Sequence, residues 1–267
     1  MSFLHRYFFQ RPRLRRFVTG LVEGNRDLDV SILGAKLRVN SVKEHGYLRA
    51  SRIAATSALL RDELPVILNL AALLADGDTF VDIGANAGIY VLTLARMRAL
   101  LPRARFYAFE ANPDTFARLA VHAGAMGVEA HNVALSDREG TLEFIGGAVS
   151  NVFTTIENAS AYSMPGKAVS VPCKRLGQFE IAGDSLILKI DVEGQEMAVL
   201  NGAADFFAAK RVKAVYLDGY KEKAVEQFLR ERGFVFLEGK TLASTGGGVF
   251  SLLALHPEKC AVRDAAG

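Results

Sequence analysis

The segment Val81-Asp82-Ile83-Gly84-Ala85-Asn86-Ala87-Gly88-Ile89-Tyr90 constrains this chain more than any other. An apolar run ends in an acid, turns through two glycines and opens a run with helical spacing. Gly84 removes a Cβ where the chain must turn sharply, and Gly88 lets the new helix approach the strand or a ligand. A tight βα turn with no ligand would use the same residues, so the spacing carries the weight. A dinucleotide fingerprint reads G-x-G-x-x-G, and its middle glycine admits a pyrophosphate. Here the two glycines are four apart and Asn86 takes the middle position. A carboxylate just before the loop, at Asp82, disfavours a pyrophosphate and suits a cationic ligand.

Glu110 closes the next apolar run, Tyr107-Ala108-Phe109-Glu110, 22 residues past Gly88. In nucleotide-binding α/β folds an acid at this distance takes the ribose hydroxyls. The two features together point to an adenosine-bearing cation, and S-adenosylmethionine has both a sulfonium and an ammonium. Around them the chain alternates. Strands are predicted at Thr79–Ile83, Arg105–Phe109, Val128–Val133, Leu186–Ile190, Val212–Leu217, Phe234–Leu237 and Phe250–Leu255. Helices are predicted at Ile89–Ala99, Asp114–Ala125, Glu196–Leu200 and Lys221–Arg232. This pattern predicts an α/β fold with a mostly parallel, seven-stranded sheet and helices on both faces. The last two strands pair as a hairpin at the sheet edge. Residues 145–172 are polar and poorly periodic, and read as a long loop insertion.

Residues 1–58 read as an N-terminal helical and hairpin extension, and residues 59–267 as the main domain. Val30, Ile32, Leu37 and Val39 alternate around Leu33-Gly34-Ala35, a hairpin signal. Residues 40–60 read as loop and helix, with Tyr47, Arg49 and Arg52. A helix follows from about Leu59 to Leu74, where Ile67, Leu70 and Leu74 repeat at helical spacing. Arg6, Arg11, Arg13, Arg15 and Arg16 all precede the first acid, Glu23, and are interspersed with apolar residues. Pro12 is expected to divide this segment into two short helices. Such a segment either packs on the domain edge or makes a peripheral contact with an anionic membrane. No run of eighteen apolar residues suggests a transmembrane helix. The two cysteines, Cys173 and Cys260, form no CxxC, and the cytoplasm is the expected compartment. A net charge of +3 gives no argument for nucleic acid.

The strand Leu186–Ile190 runs into Asp191-Val192-Glu193-Gly194-Gln195-Glu196. Lys189 and Asp191 are two apart in a strand and share a face. A lysine in a buried strand needs a partner. The pair is either a structural ion pair, with Asp191, Glu193 or Glu196 opposite Lys189, or an active-site pair at the carboxyl end of the sheet. Two carboxylates there invite a hard cation, but no third oxygen donor is identifiable, and no metal is expected. The segment contains no Pro-Pro and no aromatic to stack on a flipped base, which argues against DNA base methylation.

These segments, with Asn132-Val133-Ala134-Leu135-Ser136-Asp137, resemble the FkbM family of methyltransferases. The family pattern runs DIGAN-x-G, FE-x-NP, N-x-A-L-S-D and K-I-D-V-E-G-x-E, and all four occur in order over about residues 60–255. The resemblance implies a Rossmann-like class I methyltransferase fold, S-adenosylmethionine as cofactor, and O-methylation of a carbohydrate or other small-molecule acceptor. It places Asp82, Gly84, Ala85, Asn86 and Gly88 around the methionine and ribose parts and Glu110 on the ribose. Asn132 and Val133 fall near the adenine, and Ala111 is a further cofactor-binding candidate. Asp191 is the candidate base or cofactor-ammonium partner, and Lys189 is a second candidate base or the anchor of Asp191. The chain departs from the family at Ala111, where a proline is common, and at Leu217-Asp218-Gly219-Tyr220, where an acidic-x-His element is common. Competing readings are a nicotinamide-dependent oxidoreductase, against which Asn86 argues, and a cofactor-binding module without turnover.

Overall fold

The computed structural model describes residues 12–146, 153–155, 168–220 and 222–260. The first eleven residues of the basic segment, with Arg6 and Arg11, lie outside this set. Pro12 opens helix α1, Pro12–Glu23. Strands β1, Asp27–Ile32, and β2, Ala35–Asn40, form the expected antiparallel hairpin. Its turn residues Leu33 and Gly34 both take positive φ, the geometry that matches a two-residue turn to strand twist. Helices α2, His45–Arg52, and α3, Ala58–Leu73, follow. The Ser57 hydroxyl caps α3 by accepting the Leu60 N–H at 3.2 Å. Among the described residues, no helix is long and apolar enough to cross a membrane.

The main sheet contains β3 (Thr79–Ile83), β4 (Arg105–Phe109), β5 (Val128–His131), β10 (Leu186–Ile190), β11 (Val212–Asp218), β12 (Val235–Glu238) and β13 (Ser251–Leu255), in the order β12-β13-β11-β10-β3-β4-β5. The first five of these strands pair in parallel, while β13 runs antiparallel between β11 and β12. The chain leaves β3 toward β4 and β5, then returns to build β10 and β11 on the other side. This reversal makes a topological switch point between β3 and β10, where such sheets bind ligands. Helix α4, Ile89–Leu94, follows β3 and continues to Ala99 as a tighter 3-10 turn. Helix α5, Pro113–Ala123, follows β4. Helices α6, Glu196–Gly202, and α8, Lys223–Arg230, follow β10 and β11, with the short α7, Ala204–Ala208, between them.

Both faces of the sheet are buried, as its apolar strands require. Phe80, Phe106, Ile187 and Tyr216 pack on one face with Val66, Leu70 and the hairpin's Val30, Ile32, Leu37 and Val39. Val81, Phe109, Leu188 and Leu217 pack on the other with Val199, Leu200 and Leu229. The hairpin thus shares the sheet's core. A buried ion pair ties its exit to α5: Arg118 Nη2 lies 2.6 Å from Glu44 Oε1. Glu44 Oε2 also accepts the Asn40 N–H at 2.5 Å. This clamp sets residues 43–47 at the carboxyl edge of the sheet.

The expectation of a loop over residues 145–172 is corrected. Strands β6 (Ala134–Leu135), β7 (Gly140–Gly146), β8 (Phe153–Thr155) and β9 (Ala168–Lys174) form a second sheet in the order β6-β9-β7-β8. In β9 the side chains of Val171 and Cys173 are buried while Ser170, Pro172 and Lys174 are exposed, the alternation of a half-covered strand. Residues 147–152 and 156–167 lie outside the described set. The strand expected to reach Val133 ends at His131.

Candidate active site

A cavity of about 540 Å3 opens where β3, β4, β10 and β11 end. The glycine loop forms one wall. The N–H groups of Gly84 and Ala85 both donate to the Phe109 carbonyl, at 2.9 and 3.0 Å. Gly84 has φ 73° and Gly88 has φ 85°. A Cβ on Gly84 would lie 2.0 Å from the Asp191 carbonyl oxygen, and one on Gly88 would lie 2.5 Å from Leu119 Cδ1. Gly84 therefore lets the loop pass the end of β10, and Gly88 lets α4 pack against α5. Asn86, at the loop tip, also has positive φ.

Glu110 binds the loop to the end of β4. Its Oε2 accepts the Asn86 N–H at 2.7 Å and its Oε1 accepts the Asn112 N–H at 2.8 Å. The residue is 7% exposed. Burial pushes its carboxyl up to about 7, against the opposing effect of the two N–H donors. An ionised carboxylate has about four lone-pair sites, so two remain for hydroxyl donors. Behind it, the Asn132 side chain donates to the carbonyls of Glu110 and Ala111, at 2.8 and 3.1 Å. Asn132 thus braces the strand end, while Ala111 and Val133 reach the cavity. The second sheet completes this apolar side with Leu142 and the stacked rings of Phe144 and Phe153, 4.8 Å apart at 2°.

Lys189 lies opposite Asp82 in the β10–β3 register. Its Nζ is 3.2 Å from Asp82 Oδ1 and 3.5 Å from Asp191 Oδ2, and donates to the Gly84 carbonyl at 2.9 Å. Burial alone would lower its pKa, but the two carboxylates outweigh it and raise the value above that of a free lysine. Lys189 is therefore held as an ammonium. Asp82 is fully buried, and its Oδ2 accepts the Val91 N–H at 3.2 Å, fixing the start of α4. Asp191 differs: its side chain is 46% exposed.

Gly84, Ala85, Asn86, Glu110, Ala111, Val133, Lys189 and Asp191 all line the cavity. Asp82, Gly88 and Asn132 sit behind its wall as the contacts that shape it. The segment from His45 to Arg52 contributes His45, Gly46 and Tyr47 to the lining. Arg52 instead turns away to Glu23, at 2.5 Å. Sequence reasoning missed Glu63, Tyr90, Asp218 and Phe250, which also line the cavity. Tyr90, directly after the glycine loop, and Asp218, in the segment that departs from the family pattern, were the available signals. Among the described residues, no group of three or more His, Cys, Asp or Glu is arranged to hold a metal ion.

The sheet order, the glycine loop and the strand-end glutamate define a Rossmann-like class I methyltransferase. Residues 82–236 match the family model of the methyltransferase FkbM domain, and the chain belongs to that family. It is similar to the hexuronic acid methyltransferase AglP of Haloferax volcanii, with 29% identity over 227 residues, covering 82% of this chain and 87% of the relative. Among solved structures, it is similar to the TehB-like SAM-dependent methyltransferase from Corynebacterium glutamicum. That match has 11% identity and a TM-score of 0.41, covering 79% of this chain and 96% of the other. It is also similar to precorrin-6y C5,15-methyltransferase from Geobacter metallireducens, with 15% identity and a TM-score of 0.35, covering 76% of this chain and 90% of the other.

Proposed function

We propose that the chain moves a methyl group from S-adenosylmethionine to a hydroxyl of a carbohydrate or similar small acceptor. The observation that carries this reading is one cavity that holds the free lone pairs of Glu110 at one end and the half-exposed Asp191 toward the other. The residues fit the cofactor. Glu110 accepts the ribose hydroxyls, Ala111 and Val133 face the adenine, and Asp191 or the backbone of residues 84–86 meets the methionine end. When bound, S-adenosylmethionine supplies a methyl group on a positively charged sulfur. The similar Haloferax volcanii protein is named for a sugar acid, which supports a carbohydrate acceptor.

The chain's own task is positioning and proton removal. The acceptor oxygen must lie in line with the methyl carbon and the sulfur, and such positioning supplies much of the acceleration. A sugar hydroxyl is a weak nucleophile, so a nearby base helps as its proton leaves. Asp191 is the proposed base. Its carboxylate would accept the proton that the acceptor hydroxyl loses on methylation. Lys189 orients Asp191 from below, consistent with its fixed positive charge. The test is turnover and S-adenosylhomocysteine affinity on the same Asp191→Asn protein. Affinity should hold within about tenfold while turnover falls by about 10²–10⁴, the usual contribution of a general base. Near-normal turnover would eliminate the base role. A collapse of affinity would reassign Asp191 to the methionine end.

A further inference from the structure

The strand ends lie along the cavity in the order Asp218, Asp191, Gly84, Glu110, set by the sheet order β11-β10-β3-β4. Neighbouring strands are about 4.8 Å apart, so Asp218 and Glu110 are separated by on the order of 14 Å. With a nucleoside at Glu110, the region of Asp218 is left for the acceptor. Two carboxylates stand there, each held by a tyrosine. The Tyr216 hydroxyl donates to Asp218 Oδ1 at 3.1 Å and contacts Ser251 Oγ at 2.9 Å. The Tyr90 hydroxyl donates to Glu63 Oε2. The two tyrosine rings pack 6.1 Å apart, which sets the two carboxylate mounts side by side.

Phe250 adds an apolar surface. It is 71% exposed, yet it lines the same cavity. Gly219, next to Asp218, makes room for the ring, since a Cβ there would come within 3.3 Å of Phe250 Cζ. The Gly219 N–H also donates to the Phe250 carbonyl at 2.8 Å. An aromatic face beside hydrogen-bond acceptors matches a sugar ring, which has an apolar C–H face and a hydroxyl edge. An independent observation points the same way. Glu196 is 2% exposed and lines the cavity, and its Oε2 has no hydrogen-bond partner among the described residues. Such an atom is satisfied by a hydroxyl donor.

The charges choose between sugars. The described lining contains two lysines, one histidine, His45, whose Nδ1 contacts the Val42 carbonyl at 3.3 Å, and no arginine. Lys189 is engaged by Asp82 and Asp191, and Lys43 by Asp114 at 3.1 Å. Among the described lining residues, an acceptor carboxylate would meet Asp218 and Glu63 with no arginine and no lysine that is not already engaged by a carboxylate. Burial, with the nearby charge of Asp191, already holds the Asp218 carboxyl above its ordinary value, so a further anion there is opposed.

We propose that Glu63, Asp218 and Phe250 form the acceptor subsite, and that it takes an uncharged sugar and rejects the matching sugar acid. This rests on the methyltransferase reading above, and it sets this chain apart from the relative named for hexuronic acid. The experiment uses the full chain and matched pairs of methyl hexosides and methyl hexuronosides of gluco, galacto and manno configuration. Methyl transfer is followed by mass spectrometry, and binding to the S-adenosylhomocysteine-loaded protein by calorimetry. At least one hexoside should be methylated, with kcat/KM about tenfold or more above that of its acid partner. Asp218→Asn and Glu63→Gln keep an oxygen for the tyrosine donors and should narrow that ratio by improving the acid. Phe250→Ala should raise KM for the hexoside by about two- to tenfold with kcat nearly unchanged. Melting curves and S-adenosylhomocysteine affinity report whether each variant is folded. A hexuronoside used as well as its hexoside overturns the proposal. So does a complete lack of sugar turnover or binding while S-adenosylhomocysteine still binds, an outcome that leaves methyl transfer standing. Failure to bind S-adenosylhomocysteine at all removes both readings.

Discussion

Glu110→Gln separates the charge of the strand-end carboxylate from its shape. The wild-type side chain accepts two backbone N–H groups, from Asn86 at 2.7 Å and from Asn112 at 2.8 Å. Glutamine keeps the volume and one acceptor oxygen, but its amide nitrogen must face one of those donors. That leaves one buried N–H unsatisfied, at a cost of about 1–3 kcal/mol. The loss is offset in part because a buried charge is removed, so the melting temperature should move little. Binding has no such offset. Hydrogen bonds to a charged acceptor are worth about 1.5–3 kcal/mol, and 1.36 kcal/mol is a factor of ten. Affinity for S-adenosylhomocysteine should therefore fall about ten- to a hundredfold by calorimetry. Acidity gives a second reading. The Glu110 carboxyl stands at about 7 in the unliganded protein, and the ribose hydroxyls need it ionised. Wild-type affinity should fall as pH drops through about 7, approaching tenfold per unit below it, and the Gln variant should lose that slope. An unchanged dissociation constant, or the same slope in the variant, would remove Glu110 from the cofactor site.

Glu63, Glu110 and Glu196 are each pushed up to about 7, chiefly by burial. Between the ordinary glutamate value of 4.5 and about 7, the folded chain binds more protons than the unfolded chain, so stability should fall as pH rises across that window. Scanning calorimetry without cofactor should give a higher melting temperature near the acid end of the window than just above it, and a rise with pH would contradict this. Lys189→Met strands the fully buried Asp82 without its cation and should cost about 3–5 kcal/mol by denaturant titration; an unchanged midpoint would deny the pairing. Gly84→Ala places a methyl group 2.0 Å from the Asp191 carbonyl in a residue with φ 73°, so S-adenosylhomocysteine affinity and the melting temperature should both drop, and wild-type values of both would refute the close approach.

The main sheet was legible because each of its central strands is an apolar run covered on both faces, so pattern and length alone locate it. Gly84, Glu110 and Asp191 were legible because each is the last or next residue of such a run, and strand ends converge in a parallel sheet. Glu63, Asp218 and Phe250 were not legible as a group. They come from α3, the end of β11 and the loop before β13, and no spacing in the sequence relates the three. The second sheet was lost for a different reason. Its β8 has three residues and β6 has two, too few to show a period. β7 and β9 do alternate, but β9 and the end of β7 fell in the polar segment 145–172 that read as loop.

Lys189 shows where sequence spacing stops and register begins. The i, i+2 relation placed Lys189 beside Asp191, at 3.5 Å, but Asp82 is closer, at 3.2 Å, and comes from the neighbouring strand. One ammonium between two carboxylates cannot satisfy both equally, and burial decides the division. Asp82 has no access to water, so it depends on Lys189 and on the Val91 N–H. Asp191 keeps a share of the cation and a share of solvent. A ligand ammonium or an acceptor hydroxyl can therefore engage Asp191 while Lys189 stays fixed on Asp82 and the Gly84 carbonyl. The buried pair holds the glycine loop in place, and the exposed carboxylate is left available for chemistry.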